Sequence, residues 1–285
     1  MPDEIFALTR PVHVEHVQLV VADLDQMSAY YQSVIGLRVI DRSRSGQVLG
    51  AGGRALLTLL HRPDAGRAPR TAAGLFHTAF LVPGRAELAH WLAHAAATGV
   101  RLDGASDHLV SEALYLTDPE GNGIEIYHDR PPEEWPYNPD GTVAMATDRL
   151  DLRELLAYAP QTAWDGMADG TAIGHIHLQV GDVAQAEAFY GGVMGLTVMA
   201  RYPGASFLAS GGYHHHIAAN IWNSRGAGSR ADNMTGLAGY TLHINDRQML
   251  DRMTASLDAQ QIATTPGPAG LRLADPWGIA ITLTS

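Results

Sequence analysis

The feature that most constrains this chain is a repeat. The segment from Glu15, EHVQLVVADLDQMSAYYQSVIGL, resembles the segment from Gly174, GHIHLQVGDVAQAEAFYGGVMGL. Each opens on a His, places an Asp seven positions later, and runs through two adjacent aromatic residues to Gly-Leu. Self-similarity of this kind decides the architecture before any single residue does. His16–Val21 and His175–Val180 alternate as half-buried strands do, with Val17, Leu19 and Val21 on one face of the first and Ile176, Leu178 and Val180 on one face of the second. The helices that follow carry an apolar stripe at i, i+3, i+4 and i+7: Met27, Tyr30, Tyr31, Val34, and then Ala186, Phe189, Tyr190, Val193. Asp23 and Asp182 suit helix starts, and Gly36 and Gly195 suit helix stops.

Two weaker copies complete the pattern. Phe76–Val82 reads as a strand, followed by a helix through Leu88, Trp91, Leu92 and Ala95 that stops at Gly99. ALYLTDPEGNGIEIY is then strand, turn and strand. The fourth copy starts at Tyr240 (YTLHI), continues as a helix to about Leu257 and ends in LADPWGIAITL. The two DP-x-G hairpins, at Asp118 and Asp275, close the second and fourth units. The expectation is an α+β chain of four βαβββ modules. The stretch from Asp129 to Ala172, rich in Pro, Asp and Trp and with a short helical run near Leu150–Ala157, reads as a connection. The expected division is 1–128 (modules one and two), 129–172 (connection) and 173–285 (modules three and four), and 285 residues suffice for two domains.

Composition removes several functions. Nineteen basic against thirty acidic residues, a formal charge of −11, argue against a nucleic-acid partner. With no cysteine, any metal must be held by His, Asp or Glu. No apolar run approaches the roughly 18 residues of a membrane span, and no basic segment leads into an apolar one at the start, so the expected compartment is the cytoplasm. Fourteen histidines need explaining. In IGHIHLQV, packing of Ile176, Leu178 and Val180 under the helix leaves His175, His177 and Gln179 on the opposite, concave face. Plain solvent exposure would give the same alternation.

Strand, helix and three strands, four times over nearly the whole chain, resembles the vicinal-oxygen-chelate superfamily, the group of glyoxalases and extradiol dioxygenases. The YHHHI and SEALYL–DPEGNGIE segments are similar to those of the two-domain bacterial catechol 2,3-dioxygenases. The resemblance implies modules paired into open, curled β-barrels, with a metal inside and helices outside. The same fold also hosts isomerases, resistance proteins and binders.

In that family a module offers a His on its first strand and a Glu on its last. By that rule the resemblance implies His16 in module one, His77 and Glu125 in module two, and His175 in module three. Module four has Gly239 or Tyr240, and Thr282, at those places, and His243 reads as structural. Non-haem iron(II) oxygenases use two imidazoles and one carboxylate on one face of the metal. The implied cofactor is therefore Fe(2+) on His77, His175 and Glu125, between modules two and three. If modules one and two pair instead, the triad is His16, His77 and Glu125, and His175 is spare. The first arrangement is favoured because module three also brings His215, where module one has Leu56. In the family the corresponding pair of modules is usually third and fourth; here it stands one module earlier.

Three supporting residues follow from the same resemblance. Tyr115 lies ten residues before Glu125, His108 lies upstream of it, and His215 stands two residues before Ile217-Ala218. The implied roles are hydrogen bonds from Tyr115 and His108 to substrate oxygens, and acid–base work by His215 near neutral pH. On an alternating strand His215 would face away from His214 and His216. His13, His61, His90, His94 and His128 read as surface residues, and Trp135 and Trp164 as anchors of the connection. The implied activity is extradiol cleavage of a small aromatic diol with O2. The alternatives are a metal-dependent lyase or isomerase of the glyoxalase type, or a small-molecule-sequestering protein. A glyoxalase-type site would want a second carboxylate where module three has His-Ile-Ala-Ala-Asn. No protein partner is encoded, and a homo-oligomer is left open.

Overall fold

The computed structural model describes residues 5–285. Every module has the expected order. Module one is β1 (Val12–Val21), α1 (Leu24–Tyr30), β2 (Arg38–Ser43), β3 (Gly46–Ala51) and β4 (Arg54–His61). Module two is β5 (Gly74–Leu81), α2 (Arg85–Thr98), β6 (Gly104–Asp107), β7 (Ser111–Thr117) and β8 (Gly123–Asp129). The connection adds the short β9 (Asp148–Arg149) and α3 (Leu152–Leu156). Module three is β10 (Ala172–Gln179), α4 (Val183–Ala186), β11 (Thr197–Tyr202), β12 (Ala205–Ala209) and β13 (Ile217–Asn220). Module four is β14 (Gly236–Ile244), α5 (Arg247–Ala259), β15 (Thr265–Gly267), β16 (Gly270–Ala274) and β17 (Ala280–Thr284). Asp23 and Asp182 cap α1 and α4, accepting from the backbone N–H of Gln26 and Gln185. Both helices then widen into a π turn, over Tyr31–Ile35 and Glu187–Val193.

Within each module the first strand pairs with the last, so its other edge is open. An unpaired edge is a row of unsatisfied backbone groups and seeks a partner. These edges join antiparallel as β1 with β14 and β5 with β10. The result is an eight-stranded sheet from modules one and four and a nine-stranded sheet from modules two and three, with β9 at its rim. The alternative in which modules one and two share a sheet is thereby corrected. Along the chain the division at 128 and 173 stays our proposal; in space the sheets form across it.

Contacts outside the sheets tie modules one to two and three to four. Asp118 Oδ1, in the first DP-x-G turn, accepts from the N–H of Glu120 and Asn122, while Oδ2 accepts from Tyr31 Oη of module one at 3.0 Å. Asp275 repeats the arrangement, with Trp277, Ile279 and Tyr190 Oη at 2.9, 2.8 and 2.9 Å. The Glu120 carboxylate also accepts from the N–H of Ala22 and Asp23. The apolar strand faces pack as expected: Ile176, Leu178 and Val180 are fully buried, in one core with Phe189, Tyr190 and Val193. Trp135 is buried, and Trp164 stacks on His94 with ring centroids 3.5 Å apart, so both tryptophans anchor the connection. No helix among the described residues is long and apolar enough to cross a membrane.

His128 is not a surface residue. It is buried on β8, with Nε2 2.9 Å from Glu112 Oε2. Glu112 itself is 3% exposed and also accepts from Arg85 at 2.6 and 2.8 Å and from Arg130 at 3.2 Å. Nothing local in the sequence marks this cluster, because its members come from α2, β7, β8 and the start of the connection. Burial alone would raise the Glu112 carboxyl, but bonds from His128 and Arg85 outweigh it and hold the pKa at about 2. A carboxyl depressed from 4.5 stabilises the fold above that pH and loses the contribution as pH falls towards 2. Glu112→Gln is therefore expected to cost about 1–3 kcal/mol at pH 7. Thermal unfolding over a pH series should show the gap to wild type closing below the ordinary carboxylate pKa.

Candidate metal centre

Neighbouring strands of the nine-stranded sheet run in the order β13, β10, β5, β8, β7, β6. Each brings one of the sequence-predicted site residues to the same cavity: His215 just before β13, His175 from β10, His77 from β5, Glu125 from β8, Tyr115 from β7 and His108 just after β6. Alternation explains the choice, because side chains two apart on a strand share a face. His175, His177 and Gln179 face the cavity, while Ile176 and Leu178 face the core. Tyr115 and Glu125 are direct partners across β7 and β8.

His77, His175 and Glu125 converge. Glu125 Oε2 lies 2.8 Å from His77 Nε2 and 3.0 Å from His175 Nε2, and the two nitrogens are 3.3 Å apart. All three residues are buried. Metal–ligand bonds of about 2.1 Å at right angles put donor atoms roughly 3.0 Å apart, whereas a tetrahedral centre puts them roughly 3.4 Å apart. The observed triangle sits nearer the right-angled set. Three donor atoms this crowded are poorly served by hydrogen bonds among themselves and well served by a cation. The donor set thus fits a divalent metal held on one face by two imidazoles and one carboxylate. It is the one such group of three or more donors among the described residues.

Burial would raise the Glu125 carboxyl, but the facing His175 and His77 outweigh it and hold it well below the carboxylate range. Burial lowers His175 to about 4 against the opposing pull of Glu125, so its imidazole is neutral at physiological pH and its lone pair is free for a metal. The other nitrogen, His175 Nδ1, is buried without a partner. Packing therefore orients this ring, between Tyr127 at 4.9 Å and His215 at 4.1 Å between centroids. Gly174 makes room for Tyr127: a Cβ there would meet Tyr127 Oη and stand 2.8 Å from Tyr127 Cζ.

The remaining residues surround this triangle. His108 Nδ1 is 2.6 Å from the carbonyl of Ala146, and its Nε2 is 2.6 Å from Tyr115 Oη. A carbonyl only accepts, so in the neutral ring Nδ1 carries the proton and Nε2 accepts from the tyrosine. Burial, then the charge of Glu125, pushes the Tyr115 phenol well above its ordinary range. His215 lines the cavity, but the His214–His216 triplet precedes β13 and is not an alternating strand. Hydrogen bonds set its directions instead: His214 turns to Asp129 and His216 to the carbonyl of Ala7. Burial holds His215 well below the ordinary imidazole range, so the near-neutral value expected from sequence is replaced by a neutral ring at pH 7.

His16 belongs to the other sheet, bonds Thr58 at 3.1 Å and is not part of the triangle. His243 bonds Thr284.

Sequence reasoning missed most of the cavity wall. Its volume is about 830 Å³, and Phe76, Phe207, Trp222 and Val198 line one side. Asn138 to Thr147 of the connection supply the other, through Val143, Met145 and Ala146 among others. His177 also lines it, its Nε2 2.9 Å from Asn220 Nδ2. The aromatic residues carried no spacing signal, because they come from β5, β12 and the segment after β13.

The sequence profile of the Glyoxalase/Bleomycin resistance protein/Dioxygenase superfamily matches residues 13–126 and 172–283. A Bacillus subtilis (strain 168) protein named catechol-2,3-dioxygenase is 40% identical over 243 residues, covering 84% of this chain and 85% of that one. Among solved structures, a Bacillus subtilis strain 168 protein superposes with a TM-score of 0.66 at 14% identity, over 95% of this chain and 84% of that one. Glyoxalase I from Zea mays superposes at 0.56 and 14% identity, over 98% and 94%. At such identities the structures speak for the fold alone.

The geometry separates two histidines of similar sequence setting. His175→Ala should abolish stoichiometric metal binding, a loss beyond the roughly 10–100-fold caused by removing a supporting partner of a ligand. His16→Ala should leave metal content unchanged. Metal analysis of both variants after anaerobic reconstitution checks this, and the reverse result would remove the triangle as the site.

Proposed function

This chain belongs to the Glyoxalase/Bleomycin resistance protein/Dioxygenase superfamily, and we propose that within it the chain is a non-haem iron(II) extradiol dioxygenase of the catechol 2,3-dioxygenase type. Its substrates would be a small aromatic diol and O2. Extradiol cleavage breaks the ring C–C bond beside the diol and places both oxygen atoms in the product. The observation that carries the reading is the single cavity in which the two-imidazole, one-carboxylate triangle stands beside Tyr115, His108 and His215. The name of the 40%-identical relative agrees with it.

His77, His175 and Glu125 would hold the iron. When bound there, iron(II) supplies a chelating centre for the two diol oxygens and a redox partner for O2. The protein residues account for the rest. His215, neutral because it is buried, offers a lone pair to a diol proton and can return that proton later. Tyr115 stays a phenol, and with its proton directed to His108 its oxygen lone pairs are left to accept from a substrate hydroxyl. His108 is itself fixed by Ala146 of the connection, so the connection helps to hold substrate. Phe76, Phe207, Trp222 and Met145 give the ring an apolar seat. The glyoxalase-type alternative wanted a carboxylate at the end of the partner module. Asn220 stands there and is engaged by His177.

Ferrous protein should turn catechol solutions yellow, with about one iron per chain, and iron-free protein that is fully active would sink the reading. His215→Gln should keep iron and still bind catechol while ring opening slows by roughly 10²–10⁴-fold, the range of general acid–base catalysis. Tyr115→Phe should keep iron and turn over more slowly, because one hydrogen bond is lost. Single-turnover rates, with iron measured in each variant, separate these effects.

A further inference from the structure

Behind His215 lies a buried polar chain that the proposed reaction does not yet use. His215 Nδ1 is 2.7 Å from His214 Nδ1, and His214 Nε2 is 2.9 Å from Asp129 Oδ1. His214 is fully buried and His215 is 5% exposed. The other oxygen of Asp129 accepts from Tyr213 Oη at 2.9 Å, and Tyr213 Oη in turn lies 2.8 Å from Tyr127 Oη. Glu125, Tyr127 and Asp129 are alternate residues of β8, so one face of one strand supplies the metal-site carboxylate and the end of this chain.

Donor and acceptor chemistry gives the chain a direction. An Asp carboxylate only accepts, so His214 carries its proton on Nε2. For a neutral ring that leaves His214 Nδ1 as an acceptor, and the proton between the two histidines must come from His215 Nδ1. The bare nitrogen of His215 is then Nε2, the one not engaged by His214, on a ring that lines the cavity. We propose that Asp129 and His214 are positioning residues which, through the chain Asp129–His214–His215, fix the tautomer and ring plane of His215 so that its Nε2 lone pair is presented to the substrate. The proposal rests on the reading of His215 as the residue that accepts a diol proton. A ring free to rotate or to exchange tautomers would present the wrong nitrogen part of the time. The requirement is strict because the ring must accept from substrate at one end while donating at the other. Tyr213, itself bonded to Tyr127, donates to the carboxylate from the far side, so both oxygens at the end of the chain are engaged.

The test is direct. Full-length protein labelled with 15N at histidine, metal-free and zinc-loaded, reports the ring proton of each histidine by long-range 1H–15N correlation. The His215 signals are assigned by their absence in His215→Gln. Wild type should carry the His215 proton on Nδ1 with Nε2 bare. His214→Phe should lose that preference, and His214→Gln should keep it, because the amide can donate to Asp129 and accept from His215. Iron-loaded His214→Phe should lose roughly 10–100-fold in kcat, the range for residues that orient a functional imidazole, with KM little changed. His214→Gln should recover most of the loss. A wild-type His215 protonated on Nε2, or an unchanged tautomer in His214→Phe, would overturn the proposal. The tautomer is read without turnover, and the assigning variant has only to fold. Normal ring opening by His215→Gln would instead sink the acid–base role and leave the tautomer result standing.

Discussion

The antiparallel seam between β5 and β10 is the interaction on which the rest depends. Each strand has one edge satisfied inside its own module and one edge open, and the seam closes both. It sets His77 opposite His177, two residues from His175, and β8, parallel to β5, then brings Glu125 between the two imidazoles. A carboxylate buried to this depth would be costly alone, because desolvation penalises its charge by several kcal/mol. Two imidazoles within 3.0 Å offset that penalty, and a bound cation would offset more. The same closure at β1 and β14 meets Gly239 and Thr282 at the places of His77 and Glu125, so among the described residues only one seam of the two gathers three possible metal ligands.

A sheet is well suited to this task. Neighbouring strands stand about 4.8 Å apart, so six consecutive strands present six side chains in a row. Curling of the sheet turns the row into a cup, with the metal triangle at its centre, Tyr115 and His108 on one flank and His215 on the other. The connection completes the cup: it fixes His108 through Ala146 and contributes Val143 and Met145 to the wall. A segment that looks like a linker by composition is therefore part of the pocket, held there by Trp135 in a small core with Phe6 and Tyr213.

Buried polar groups away from the triangle follow one rule: each carboxylate is surrounded by donors. Asp118 and Asp275 organise the two hairpin turns and clasp a tyrosine from the preceding module. Glu112 gathers two arginines and a histidine. Asp129 takes His214 and Tyr213. The DP-x-G turns were readable because their donors are local in sequence. The Glu112 and Asp129 clusters were not, because their members come from segments far apart in the chain: α2, β7, β8 and the connection for one, β8 and the turn before β13 for the other. His128 was misread as a surface residue for that reason.

What the sequence determined by itself was everything with a period. The fourfold repeat specified four βαβββ modules, and the two-residue alternation of HIHLQV specified which side chains turn from the core. A separation of ten positions from Tyr115 to Glu125 sufficed to make them cross-strand neighbours, since a tight DPEG turn leaves little freedom of register. What only the tertiary structure decided was which module closes on which. The open edge of a first strand is a row of backbone N–H and C=O groups, the same in all four modules, and side-chain pattern does not name its partner. That choice brought His175 rather than His16 to His77 and Glu125. It also set the three-histidine run before a strand instead of on one, so that His215 is aimed by a hydrogen-bonded neighbour and not by pleat.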